Sequence, residues 1–113
     1  MIDPPVTPSY PAGHALQAYL ASYLLAYCLP NLPGQPNPLP AVNALARPGP
    51  QGSGPLFDLA WRVSENRMVA GIHYLRDVDA GIVVAIECFR DLQQVNSVTD
   101  LMADVRTEFP QYQ

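Results

Sequence analysis

Lysine is absent from this chain, and charge of either sign is scarce: 14% of 113 residues, six arginines against ten acidic groups, for a net charge of −4. The six arginines never cluster, so neither a general nucleic-acid surface nor a basic membrane-surface helix can be built from them. Two cysteines, Cys28 and Cys88, are too few for a disulfide framework. Each lies in an apolar helical pattern and reads as a small buried hydrophobe, with a single bridge between them left open. A run of about 20 apolar residues is also lacking. Between Asp3 and Arg47 only His14 can carry charge, but the apolar part of that stretch, Ala15 to Leu29, is interrupted by Gln17, Ser22 and three tyrosines. It is too short to span a bilayer, and no integral membrane segment is expected. The amino terminus, Met-Ile-Asp-Pro-Pro, has neither a basic region nor an apolar run, so no signal peptide is expected there.

What the chain does have is apolar mass and proline. Hydrophobic residues make up 49%, which excludes disorder driven by low hydrophobicity and high charge. Of 13 prolines, four fall in residues 4–11 and eight between Pro30 and Pro55. Residues 1–12 therefore read as an extended lead-in, and 30–55 as a long Pro/Gly-rich loop with a short helical turn near Ala41 to Ala46. Helical spacing predicts a first helix from Gly13 or His14 to about Cys28, with Leu16, Leu20, Tyr23, Leu24 and Tyr27 as its stripe. A second runs from Leu56 to about Gly71, with Leu56, Ala60, Val63 and then Arg67 on one face. An arginine on an inward stripe costs free energy unless it meets a partner. A third, from Asp77 or Asp79 to Val95, carries Val78, Ile82, Ile86, Phe89 and Leu92, with the aspartates favoured by its amino-terminal dipole. Ser97-Val98-Thr99-Asp100 resembles a capping box opening a last helix with Leu101, Val105 and Phe109. No segment alternates with period two, so the expected fold is an all-α helical bundle in one domain.

Two constellations carry chemistry. In Tyr10-Pro11-Ala12-Gly13-His14-Ala15, a glycine and a histidine open an apolar helix, where backbone N–H groups attract anions and an imidazole can move a proton. The second places Arg67 six residues before His73 and Asp77 four after it. An i, i+4 spacing brings the carboxylate within reach of one ring nitrogen and leaves the other available as a nucleophile. Arg67, a fork of donors, suits phosphate oxygens. The two histidines of the chain both fall in these motifs. A metal site from His14, His73 and Asp77 is not indicated by their spacing, and no metal is expected.

PAGHA followed by Asn66-Arg67, five residues, His73, three residues and Asp77 resembles the second and third motifs, P-S-G-H and S-R-x5-H-x3-D, of the type 2 phosphatidic acid phosphatase and vanadium haloperoxidase superfamily. Within it, residues 65–81 are most similar to the E-S-R-x-x-x-G-x-H-x-x-x-D-V-D-A segment of bacterial class A non-specific acid phosphatases. The tail around Phe89, Gln93-Gln94 and Glu108-Phe109 has a similar layout. The resemblance implies the carboxyl-terminal part of such a helical domain. It implies His73 as the nucleophile, Asp77 orienting it, and His14 as acid and then base. Phosphate would be bound by Arg67, Gly13, the backbone of Ala12, and Asn66. The partner implied is a small-molecule phosphate ester, and no cofactor is needed; in the haloperoxidase branch the same pocket would hold vanadate on His73. Family members are often periplasmic or secreted.

The sequence departs from that pattern at three points. Ala12 and Asn66 stand where the motifs have serine, and losing the first hydroxyl removes a donor to a charged acceptor worth about 1.5–3 kcal/mol. The first motif, K-x6-R-P, is missing: Arg47-Pro48 lies after PAGHA and has Pro40 in the lysine position. Three readings follow: a phosphomonoesterase acting through a phosphohistidine, a vanadium-dependent haloperoxidase, and a non-catalytic helical fragment without a complete anion site. A homo-oligomer and a missing amino-terminal segment both stay open.

Overall fold

The structure is a computed structural model that describes residues 10–34 and 54–113. Within them the fold is all-α, four helices with no strand: α1 Gly13–Cys28, α2 Pro55–Val69, α3 Leu75–Leu92 and α4 Asn96–Glu108, then a 3-10 turn at Pro110–Tyr112. The helical turn expected near Ala41 to Ala46 and most of the Pro/Gly-rich loop lie outside the described residues.

α1 is the hub. α2 and α3 both pack on it and scarcely touch each other, and α4 meets its far end. Being flanked on two sides changes which residues α1 buries. Ala15, Tyr19, Ser22, Tyr23 and Ala26 are enclosed, whereas Leu16, Leu20, Leu24 and Tyr27, most of the expected stripe, are only partly covered. Small residues on the enclosed face let neighbouring helices approach closely. Ser22 Oγ donates to the Leu56 carbonyl (3.0 Å), tying α1 to the start of α2.

Four rings knit the bundle. Tyr23 meets Phe57 of α2 edge-on at 4.9 Å and stacks on Phe89 of α3 at 5.3 Å, with Tyr19 6.3 Å from Phe57. Such pairs contribute about 0.5–1.5 kcal/mol each beyond burial. The demand for Phe57 inside turns α2 so that Phe57, Ala60 and Ser64 are its buried residues, and the expected face through Leu56 and Val63 is only half-buried. α3 keeps its expected stripe, with Val78, Ile82, Ile86 and Phe89 buried and Leu92 half-covered.

The capping box expected at Ser97 does not form. α4 begins at Asn96, two residues before the start that a Ser97 cap would set, without a side-chain cap, and Thr99 Oγ1 donates back to the Asn96 carbonyl. Its buried residue is Met102, while Leu101 and Phe109 are exposed. Polar contacts hold this helix instead. Gln113 Nε2 donates to the Cys28 carbonyl at the end of α1 (2.9 Å), its Oε1 accepts from Arg106 Nε (2.9 Å), and the Arg106 guanidinium lies 5.4 Å over the Tyr27 ring. Cys28 and Cys88 are unbridged, and burial pushes the Cys28 thiol up, opposed in part by Arg106. No helix among the described residues is long and apolar enough to cross a membrane.

Candidate functional site

The chain from Arg67 to Asp77 turns one helix into the next in a few residues, and glycine makes that turn available. Gly71 has φ +76°, a left-handed conformation that a Cβ disfavours. Its N–H donates to the Met68 carbonyl (2.9 Å) and that of Ile72 to the Arg67 carbonyl (3.1 Å), the paired bonds of a Schellman end to α2. Arg67 therefore lies in the last turn of α2 while His73 enters the connection two residues past the glycine.

α3 begins at Leu75, earlier than the aspartates suggested, because Asp77 acts as its third residue and reaches back. Asp77 Oδ2 accepts the Tyr74 N–H (2.8 Å) while the Asp77 N–H donates to the Tyr74 carbonyl (3.0 Å). His73 and Tyr74 are outside the helix. Helical i, i+4 stacking is thus not what pairs His73 with Asp77; the backward reach of Asp77 is. It leaves His73 Nδ1 3.8 Å from Asp77 Oδ2, ion-pair range without a hydrogen bond. Both side chains are buried.

The other motif meets this corner through the backbone. The Ala12 N–H donates to the Asp77 carbonyl (2.9 Å), and the Ala12 carbonyl accepts from Leu16 N–H (3.0 Å). The contact is close because residue 81 has no side chain: a Cβ there would sit 2.6 Å from Ala12 O and 3.2 Å from Leu16 N. The Ala12 N–H, expected at the phosphate, is thus engaged with α3. The N–H groups of Gly13 and His14, the first two of α1, have no acceptor within their own helix. His14 is exposed two residues beyond the joint, and Asn66 is exposed on the last turn of α2.

Two buried side-chain nitrogens in this region have no hydrogen-bond partner among the described residues, Arg67 Nε and His73 Nδ1. Leaving such a group unpaired costs about 1–3 kcal/mol. Arg67, on the inward stripe, therefore meets no acceptor for that nitrogen in the described chain. Sequence reasoning missed Gly71, Gly81 and Tyr74. The glycine after α2 and the Ala80-Gly81 pair within α3 were the available signals.

Over 100 residues, 88% of its length, the chain is 29% identical to the "Non-specific acid phosphatase" of Salmonella typhi. The aligned region is 32% of that protein, so the chain spans about a third of the curated relative it matches. No family model and no solved structure matches the chain. The chain is therefore similar to a phosphatase along most of its own length.

Proposed function

We propose that this chain hydrolyses phosphate monoesters through a phosphohistidine on His73. The observation that carries the reading is Arg67 Nε: a buried guanidinium donor without an acceptor among the described residues, six residues from a buried histidine, in a chain similar to an acid phosphatase. A phosphoryl group is the kind of acceptor that a guanidinium fork fits.

In this reading His73 Nε2 attacks phosphorus while the bond to the leaving oxygen breaks, and Arg67 balances charge on the equatorial oxygens. His14 protonates the departing alkoxide. It then takes a proton from water, whose oxygen attacks phosphorus as the P–N bond breaks, releasing phosphate and restoring His73. Asp77 holds the Nδ1 proton; closing 3.8 Å to hydrogen-bond length is the tightening expected when a substrate draws the imidazole inward. Gly13 N–H adds a donor at the start of α1, and Asn66 contributes from the α2 terminus.

The test is orthovanadate titration together with hydrolysis of p-nitrophenyl phosphate at acidic pH, on wild type and His73→Ala. Wild-type binding and turnover that His73→Ala abolishes is the expected result. Equal vanadate affinity in both, or none in either, overturns the reading.

A further inference from the structure

An open groove of about 790 Å³ lies between Tyr10-Pro11 and the Arg76, Ala80, Val83 and Val84 face of α3. It contains none of His14, Arg67, His73 or Asp77, yet it adjoins the Ala12–Asp77 joint at two covalent points. Pro11 precedes Ala12 and Arg76 precedes Asp77, the two residues joined by the 2.9 Å backbone bond. Groove and candidate site thus share one fixed joint.

The walls state what would fit. Pro11, Ala80, Val83 and Val84 are apolar, and the Tyr10 ring is 62% exposed, open to stacking. Arg76 is exposed and makes no hydrogen bond or ion pair among the described residues, whereas Asp79, also on the wall, is already engaged. A lone guanidinium above an apolar trough selects an apolar or aromatic body with an anionic substituent. The volume falls within the range of small-molecule sites.

We infer that this groove receives the leaving alcohol of the ester, an aromatic or branched apolar group bearing a second anionic substituent that pairs with Arg76. The inference rests on the phosphatase reading of His73 and adds a substrate class to it. Only Tyr74 and Leu75 lie between His73 and Arg76 in the chain, so the guanidinium on the groove wall follows the candidate nucleophile closely in sequence.

The probe is 4-phosphonobenzoate, a non-hydrolysable ring with phosphonate and carboxylate at opposite ends, with phenylphosphonate as the comparator lacking the carboxylate. Valine methyl and histidine ring signals are followed by NMR in wild type, Arg76→Gln and His73→Ala. The expected result is that 4-phosphonobenzoate moves His73 together with Val83 and Val84. Its affinity should exceed that of phenylphosphonate by about three- to five-fold, as for an exposed ion pair, and Arg76→Gln should erase the difference. A response at His73 with Val83 and Val84 unmoved overturns the groove assignment and leaves the phosphatase reading standing. A response in the groove alone overturns the leaving-group role, and equal discrimination by Arg76→Gln overturns the part given to Arg76. No response to either probe or to inorganic phosphate overturns both proposals.

Discussion

The Ala12 N–H and the Asp77 carbonyl oxygen, 2.9 Å apart, fix the residue before α1 to the first turn of α3. Through this bond the exposed His14 and the buried His73 are held to one end of the bundle. Neither side chain takes part in the fastening, so changes around it should separate positioning from chemistry.

Gly81→Ala tests the joint. The new Cβ would meet backbone atoms at 2.6 and 3.2 Å, which cannot yield as a flexible side chain would. Thermal or urea unfolding should show a loss of about 1–3 kcal/mol, as for overpacking, and vanadate affinity should fall with it. Gly13→Ala is the stability control: nothing lies within 4 Å of its Cβ and its φ is not positive, so unfolding should be unchanged or slightly harder.

Asp77 has two tasks that substitution can divide. Asn at this position keeps an acceptor for the Tyr74 N–H, and Ala does not. Asp77→Ala should lose about 1 kcal/mol of stability in denaturant titration and Asp77→Asn much less. Both remove the charge facing His73 Nδ1, so both should lower p-nitrophenyl phosphate turnover by about a hundred-fold or more. An Asn variant with wild-type turnover would show that the charge at position 77 is idle.

Alkali should unfold the chain through its core tyrosines. Burial pushes the Tyr23 phenol up to about 12, and Tyr19 is raised further by burial and the nearby Tyr23, Asp58 and Asp79. A raised folded-state pKa means that the native chain holds its proton after the unfolded chain has released it. The associated stability is complete below pH 10 and drains away as pH climbs toward 12. Urea midpoints at pH 8, 10 and 11.5 should follow that course. Tyr23→Phe should soften the decline and cost little at pH 8, because the Tyr23 hydroxyl has no partner among the described residues.

Gln113 is the polar latch of α4. Its side chain bonds the Cys28 and Phe109 carbonyls and Arg106 Nε, at 2.9–3.0 Å, while α4 itself buries only Met102. Gln113→Ala should cost about 1–2 kcal/mol locally, read as faster hydrogen exchange along α4 with exchange in α1 and α3 preserved. Uniform acceleration across all four helices would refute a local latch.

The apolar stripe of α3 was legible, though not its bounds, since a helix packed on one side shows its large buried residues at one spacing. α1 hid its interior because two neighbours enclose it and small residues, not leucines, mark the contact. α4 misled because polar bonds at the chain's end, rather than an apolar stripe, set its position. Motif spacing marked both histidines, Arg67 and Asp77 as candidates, but the backbone bond that fastens Ala12 to Asp77 was not legible. It runs between backbone atoms, and its only trace in sequence is a glycine whose missing side chain makes room.

The ring of Tyr23, clasped by Phe57 and Phe89, has a thermodynamic consequence. Beyond the short connection that joins them, α2 and α3 scarcely touch, and the Tyr23 ring bridges Phe57 of one to Phe89 of the other. The interaction energy between Phe57→Leu and Phe89→Leu in a double-mutant cycle should accordingly shrink toward zero once Tyr23 is Leu. One side chain would then decide whether the two halves of the candidate site melt as a single cooperative unit or as two.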